Sequence, residues 1–305
     1  MSVHIRGLGT LSKDFSELEF NDGEVFRCTP LETVGVLEPF GEMTFMSAVE
    51  AYKAALKEKT DADCAVLCAD TLGEMRAAVI ASRKVEKPLM ILLTVDDEGK
   101  TATGADALAC LICLQEMGIT AFGICGGNDS STSAEIIVSL FPYAKVPLIA
   151  QADDELKAQK LALCGAEIFY GLKSAEGLKE PVMLPKKQDT SLVFSNETDV
   201  FFLEPDAIEM GPPLDPLSDM SDELVEMTDT NYDTVTIELD SAEDAVDFSM
   251  NAHMARRPVI FRSDNPIALK SALLTYHGRA LVDSSCTIER EELEKIAHKY
   301  GAVVY

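Results

Sequence analysis

Three cysteines, Cys28, Cys68 and Cys125, each stand at the C-terminal end of a short apolar stretch that reads as a β-strand, over 24–28, 64–68 and 120–124. In parallel α/β folds the functional groups gather where strands end. Three thiols converging there could hold a soft metal such as zinc, or one could act as a nucleophile. The competing reading, and the weightier one, is cysteine as a small hydrophobe inside short apolar strands. Polar groups at the same strand ends supply candidates for substrate binding: Asp70, Thr94, Asp96, Cys125 and Gly126. Asp96 and Asp97 could act as a base or an anchor, although a solvated acidic turn suits them better. Gly126-Gly127-Asn128-Asp129 leads into a helix start whose free N–H groups could take a carboxylate or phosphate. A plain N-cap by Asp129 or Ser130 is the weightier reading, since the surrounding acidity opposes an anion pocket.

The other cysteines point to packing. Cys110 and Cys113 have a C-x-x-C spacing but fall inside an apolar helical stretch, 107–115, where zinc knuckles do not form. Cys164 and Cys286 flank elements, and His4, His253, His277 and His298 stand alone. No catalytic residue is assigned.

These residues need strands and helices to position them. A strand over 89–95 is followed by an acidic loop, a helix with Leu108, Leu111, Ile112 and Met117 on one face, and a strand over 120–124. Strand and helix alternate without a break from 24 to 171. That alternation implies parallel strands joined by right-handed crossovers, in a barrel or an open sheet. Residues 1–23 read as a lead-in arm. The stretch 181–230 reads as a hairpin (192–194 with 200–203) and an acidic, proline-containing linker. The alternation resumes from 233. The expected organisation is a barrel region over 1–180, the hairpin and linker over 181–230, and a C-terminal α/β segment over 231–305.

Composition narrows the function classes. The chain has 305 residues, is 47% hydrophobic and 26% charged, and so can bury a core. A formal net charge of -26 opposes any nucleic-acid or anionic-membrane partner. No charged-then-apolar leader or membrane-length apolar run is present. With eight cysteines, a reducing cytoplasm is therefore the expected compartment.

Several collinear segments carry a resemblance. Thr94-Val95-Asp96-Asp97-Glu98-Gly99-Lys100, then Thr103-Gly104 and Phe122-Gly123-Ile124, resemble the homocysteine-binding barrel of cobalamin-dependent methionine synthases. Gly35-Val36-Leu37-Glu38-Pro39-Phe40-Gly41 and Thr71-Leu72-Gly73-Glu74-Met75-Arg76-Ala77-Ala78 are similar to the same family's segments after its third and fourth strands. The resemblance covers roughly 24–175. It implies a TIM-type (β/α) barrel, homocysteine S-methyltransferase chemistry in methionine biosynthesis, and a zinc site of three cysteines. It also implies that the family's first two strand–helix units are missing, leaving edges for the arm, the C-terminal part or a partner to cover.

The ligand positions depart from that pattern. In the family one cysteine follows the sixth strand; an ungapped match places Gly126 there, and a one-residue shift places Cys125. Leu172 and Lys173 stand where the paired cysteines after the eighth strand belong, and Leu67-Cys68 replaces the fourth-strand glutamate that holds the substrate amino group. No cofactor is therefore expected, zinc remaining the minority alternative. Two functions stay open: a divergent homocysteine S-methyltransferase-like protein binding a small thiol or amino acid, or a non-catalytic pseudoenzyme associating with a corrinoid or methionine synthase component. Exposed barrel edges would favour a homo-oligomer. The stretch 273–284 is weakly similar to part of a pterin-binding barrel, and no folate site is carried onto it.

Overall fold

A computed structural model describes residues 7–38, 41–96, 98–126, 130–179, 191–196 and 198–305. The chain divides into two units, Met1–Gln188 and Asp189–Tyr305.

The first unit runs β1 (Gly9–Leu11), β2 (Glu17–Phe20), β3 (Val25–Leu31), α1 (Phe45–Glu58), β4 (Cys64–Ala69), α2 (Leu72–Lys84), β5 (Leu89–Val95), α3 (Ala107–Met117), β6 (Ala121–Gly126), α4 (Ser130–Leu140), β7 (Leu148–Gln151), α5 (Glu155–Cys164) and β8 (Ile168–Tyr170). The helix starts follow local chemistry. Thr44, Thr71, Asp106 and Asp154 each accept a backbone N–H of the first turn through their side chains.

The eight strands form one closed barrel in sequence order. Strands β3 to β8 are mutually parallel. β1 runs parallel to β8, while β2 is antiparallel to both β1 and β3. The stretch expected to be a lead-in arm is thus a hairpin that fills the gap between β8 and β3, and no open barrel edge remains. Its signal was short but present: in Glu17–Phe20, Leu18 and Phe20 turn inward while both glutamates face solvent.

The register fixes the geometry of closure. From Ile168 through Gly9 and Phe20 it reaches Glu24; through Ile149, Gly123, Leu92 and Cys68 it reaches Glu32. The ladder therefore closes with a shift of eight residues, the shear of a TIM barrel. Alternate residues fill the interior, among them Leu11, Leu18, Cys64, Val66, Met90, Leu92, Cys125, Ile149 and Ile168. Gly123 is part of this fit, because a Cβ there would lie 2.4 Å from the Ile149 carbonyl oxygen.

The second unit holds the hairpin β9 (Leu192–Ser195) and β10 (Val200–Leu203). It continues with β11 (Met210–Leu214), α6 (Ser221–Thr228), β12 (Thr234–Glu238), α7 (Ala242–Asn251), β13 (Val259–Arg262), α8 (Pro266–Thr275), β14 (Leu281–Val282), α9 (Arg290–Lys299) and β15 (Val303–Val304). β11 to β15 form a parallel sheet in sequence order. Crossovers of one hand then place the helices on one face. Phe261 meets Phe248 and Tyr276 there. On the opposite face Phe194 of the hairpin packs against Ile260 and Leu281. The Arg279 N–H donates to the Ser195 carbonyl (2.8 Å) and its guanidinium to the Val193 carbonyl (2.6 Å), so the segment before β14 clasps the hairpin.

The expected linker is corrected here. Residues 210–214 form an edge strand and 221–228 a helix. Pro212 and Pro213 are tolerated because β11 lies at the sheet edge, where a ladder N–H is dispensable, and a register irregularity accommodates them. Among the described residues, no helix is long and apolar enough to cross a membrane.

If hairpin packing closes the barrel, Leu18→Ala, at a side chain with no exposed area, costs about 2–5 kcal/mol. Val25→Ala, on the neighbouring strand but 49% exposed, costs less than about 1 kcal/mol. Urea unfolding of the two variants checks the contrast.

Candidate functional site at the barrel mouth

Cys68, Thr94 and Cys125 each lie one residue before the C-terminal end of their strand, β4, β5 and β6 respectively. Cys68 pairs in register with Leu92, and Thr94 with Cys125, so Cys125 is two residues further along than Cys68. A shear of one residue per strand cancels that offset, bringing side chains from alternate strands into one layer. The Cys68 and Cys125 sulfurs are 2.7 Å apart. Thr94 Oγ1 lies 3.6 Å from the first and 3.5 Å from the second. Cys125 is buried, Cys68 half-buried and Thr94 exposed.

The two thiols share their protons unequally. The hydrogen bond from Cys125, helped by Thr94, draws Cys68 down to about 7, against burial and the charge of Asp70. Cys125 is pushed up, first by that same hydrogen bond and then by burial. Near neutral pH Cys68 is therefore about half ionised, while Cys125 keeps its proton.

Two aromatic side chains complete the wall. Tyr170, at the end of β8, is shifted upward by burial and by the charges of Cys125 and Cys68. The Phe15 ring, in the β1–β2 hairpin loop, lies 5.0 Å from the Tyr170 ring. That loop reaches the mouth because β1 runs parallel to β8. Phe15 carried no signal in the sequence. Tyr170 carried a weak one, since with Ile168 it shares one strand face.

The expected metal trio, Cys28, Cys68 and Cys125, does not converge. β3 continues through Thr29 and Pro30 to Leu31, so Cys28 is mid-strand rather than at a strand end. Pro30 is accommodated because β2 no longer pairs at that level. Cys28 stands in register with Cys64, four residues before Cys68, about 13 Å lower along β4. Its sulfur is 3.1 Å from that of Cys64. This lower thiol is pushed well up by its partner and by burial, and stays protonated. Among the described residues, no group of three or more His, Cys, Asp or Glu side chains is placed to hold a metal.

The other candidates separate. Asp70 is exposed just beyond Cys68. Asp96 is occupied by its own turn: the N–H groups of Lys100 and Glu98 donate to its carboxylate and hold it below the usual range. Gly126 takes φ +92° and approaches the Val95 carbonyl so closely that a Cβ would lie 2.9 Å from the oxygen, so it turns the chain out of the mouth. Asp97 and residues 127–129 of the anion-pocket segment lie outside the described residues. Cys110 and Cys113 are buried in α3, the latter accepting from the Arg76 guanidinium at 3.1 Å.

Buried Glu74 organises the loop after β3. Its carboxylate accepts from the Val34 and Gly35 N–H groups and from the Tyr52 hydroxyl at 2.7 Å.

No protein-family model matches the chain, and no curated protein sequence matches it.

Iodoacetamide labelling of Cys68, followed by mass spectrometry, should rise through a midpoint near pH 7. Cys125→Ala, which removes the main donor, should move that midpoint toward the ordinary thiol value of 9.0. By linkage, a depressed thiol adds stability that is fully present above its unfolded value and is lost as pH falls through about 7. Separately, Tyr52→Phe removes a donor to a buried carboxylate and should cost about 1.5–3 kcal/mol in chemical unfolding.

Proposed function

We propose that the chain is a divergent homocysteine S-methyltransferase-like protein whose barrel mouth binds a small thiol or thiol-bearing amino acid, outside the zinc-thiolate route. The observation that carries this reading is the convergence of Cys68, Thr94 and Cys125 at the ends of β4, β5 and β6. The segments that resemble the family leave the barrel at that same end. The Cys68 thiolate accepts a hydrogen bond from a ligand S–H, and the exposed Thr94 hydroxyl is a second polar contact. Phe15 and Tyr170 offer an apolar wall to the ligand methylenes, and the exposed carboxylate of Asp70 favours an ammonium group. The family's zinc does not fit these residues. Leu172 is buried and Lys173 exposed where thiolates would be needed, and neither side chain is a thiolate ligand.

Calorimetric titration with L-homocysteine, in a non-thiol reductant, tests the proposal. Saturable binding is expected, weakened up to about tenfold by Thr94→Val, the cost of one hydrogen bond. L-methionine, which lacks the S–H donor, should bind more weakly. Absence of saturable homocysteine binding would overturn the reading. Stoichiometric zinc in the purified protein, lost in Cys125→Ser, would instead restore the family's metal route.

A further inference from the structure

The Cys68–Cys125 pair has a second property that binding does not use. Both cysteines are free, and their sulfurs need to approach by only about 0.7 Å to reach the ordinary disulfide bond length of about 2.05 Å. The pair also differs from the other close pair. Cys28 and Cys64 are both buried on adjacent strands inside the barrel, whereas Cys68 is half-buried at the mouth beside exposed Thr94. Cys68 and Cys125 sit on strands separated by β5, so a bond between them would span a neighbouring strand. Bonds that must pull backbone together are more readily reduced than unstrained structural ones.

We propose that Cys68 and Cys125 form a dithiol–disulfide couple that exchanges with disulfides of small amino-acid thiols. This rests on the reading of the mouth as a small-thiol site and names a reaction for it. Cys68 is the attacking sulfur because it is the more exposed, and Cys125 is the resolving one.

The steps balance. The Cys68 thiolate attacks one sulfur of R–S–S–R; a Cys68–S–R bond forms, the ligand S–S bond breaks, and the departing thiolate takes a proton as RSH. Cys125 then loses its proton to solvent and attacks the Cys68 sulfur. The Cys68–Cys125 bond forms, the Cys68–S–R bond breaks, and the second thiolate leaves and is protonated. The protein is oxidised by two electrons and the small disulfide is reduced to two thiols. Excess RSH drives the same steps backward. The exposed Asp70 carboxylate, whose charge reaches Cys68, favours disulfides that carry ammonium groups, as those of amino-acid thiols do.

The test treats the full chain with L-cystine, quenches it with acid, alkylates it and maps the peptides. Two of the eight thiols should disappear, a single cross-link should join the Cys68 and Cys125 peptides, and dithiothreitol should reverse it. Cys125→Ala should stop at a cysteinyl adduct on Cys68. Cys68→Ala should leave Cys125 reacting at about a tenth of the wild-type Cys68 rate or below, as a buried thiol does. Thermal melting of both variants checks that they are folded, and the wild-type cross-link needs neither of them. A stable adduct on wild-type Cys68 without the cross-link, a cross-link between other cysteines, or retention of all thiols would overturn the proposal. The two readings separate: homocysteine binding without the cross-link rejects only the redox couple, and the cross-link without homocysteine binding rejects only the ligand assignment.

Discussion

Closure of the barrel by the β1–β2 hairpin is the constraint on which the rest of the first unit depends. Without it, β3 and β8 would each present a row of unpaired backbone groups, an edge open to other chains. Two short strands are enough because their job is pairing and filling rather than carrying crossovers. Leu11, Leu18 and Phe20 plug the interior from that side. The antiparallel turn also brings Phe15 to the mouth, so the element that closes the barrel supplies part of the candidate site's wall.

The shear that follows from closure decides which thiols meet. Cys68 and Cys125 are not ladder neighbours, yet the tilt of the strands puts them in one layer. Cys28 and Cys64 are ladder neighbours and meet lower down. The same residue type then behaves in two ways. At the mouth, a partially hydrated sulfur with two donors becomes a thiolate near neutral pH. In the lower barrel, the hydrogen bond with a neighbouring thiol and burial keep the Cys28 proton in place.

The second unit solves a related problem differently. Its parallel sheet, wound in one direction, leaves one face without helices, and the β9–β10 hairpin covers part of it through Phe194, Leu192 and Leu203. At the far end of that face Arg262 bonds Asp283 at 2.6 Å, with Glu238 at 3.8 Å. Burial opposes the Asp283 charge, but the Ser285 N–H and Arg262 outweigh it and hold its carboxyl below the usual range. Arg262 thus neutralises a strand end that would otherwise collect negative charge.

Local pattern determined much of this protein by itself. Capping residues, apolar periodicity and strand–helix alternation marked α1 to α5 and β4 to β8, because those signals are written within a few neighbouring residues. The cysteines at the mouth were legible as candidates for the same reason. Tertiary structure alone decided the pairing. Whether Cys125 meets Cys68 or Cys28 depends on register and shear summed around eight strands, which no local window contains. The short β1 and the proline-bearing β11 were hidden likewise, since each is a strand only by virtue of the neighbour it pairs with, and the brief alternation of β2 could not say which strands it joins. Phe15 belongs to the mouth because its hairpin closes the barrel there.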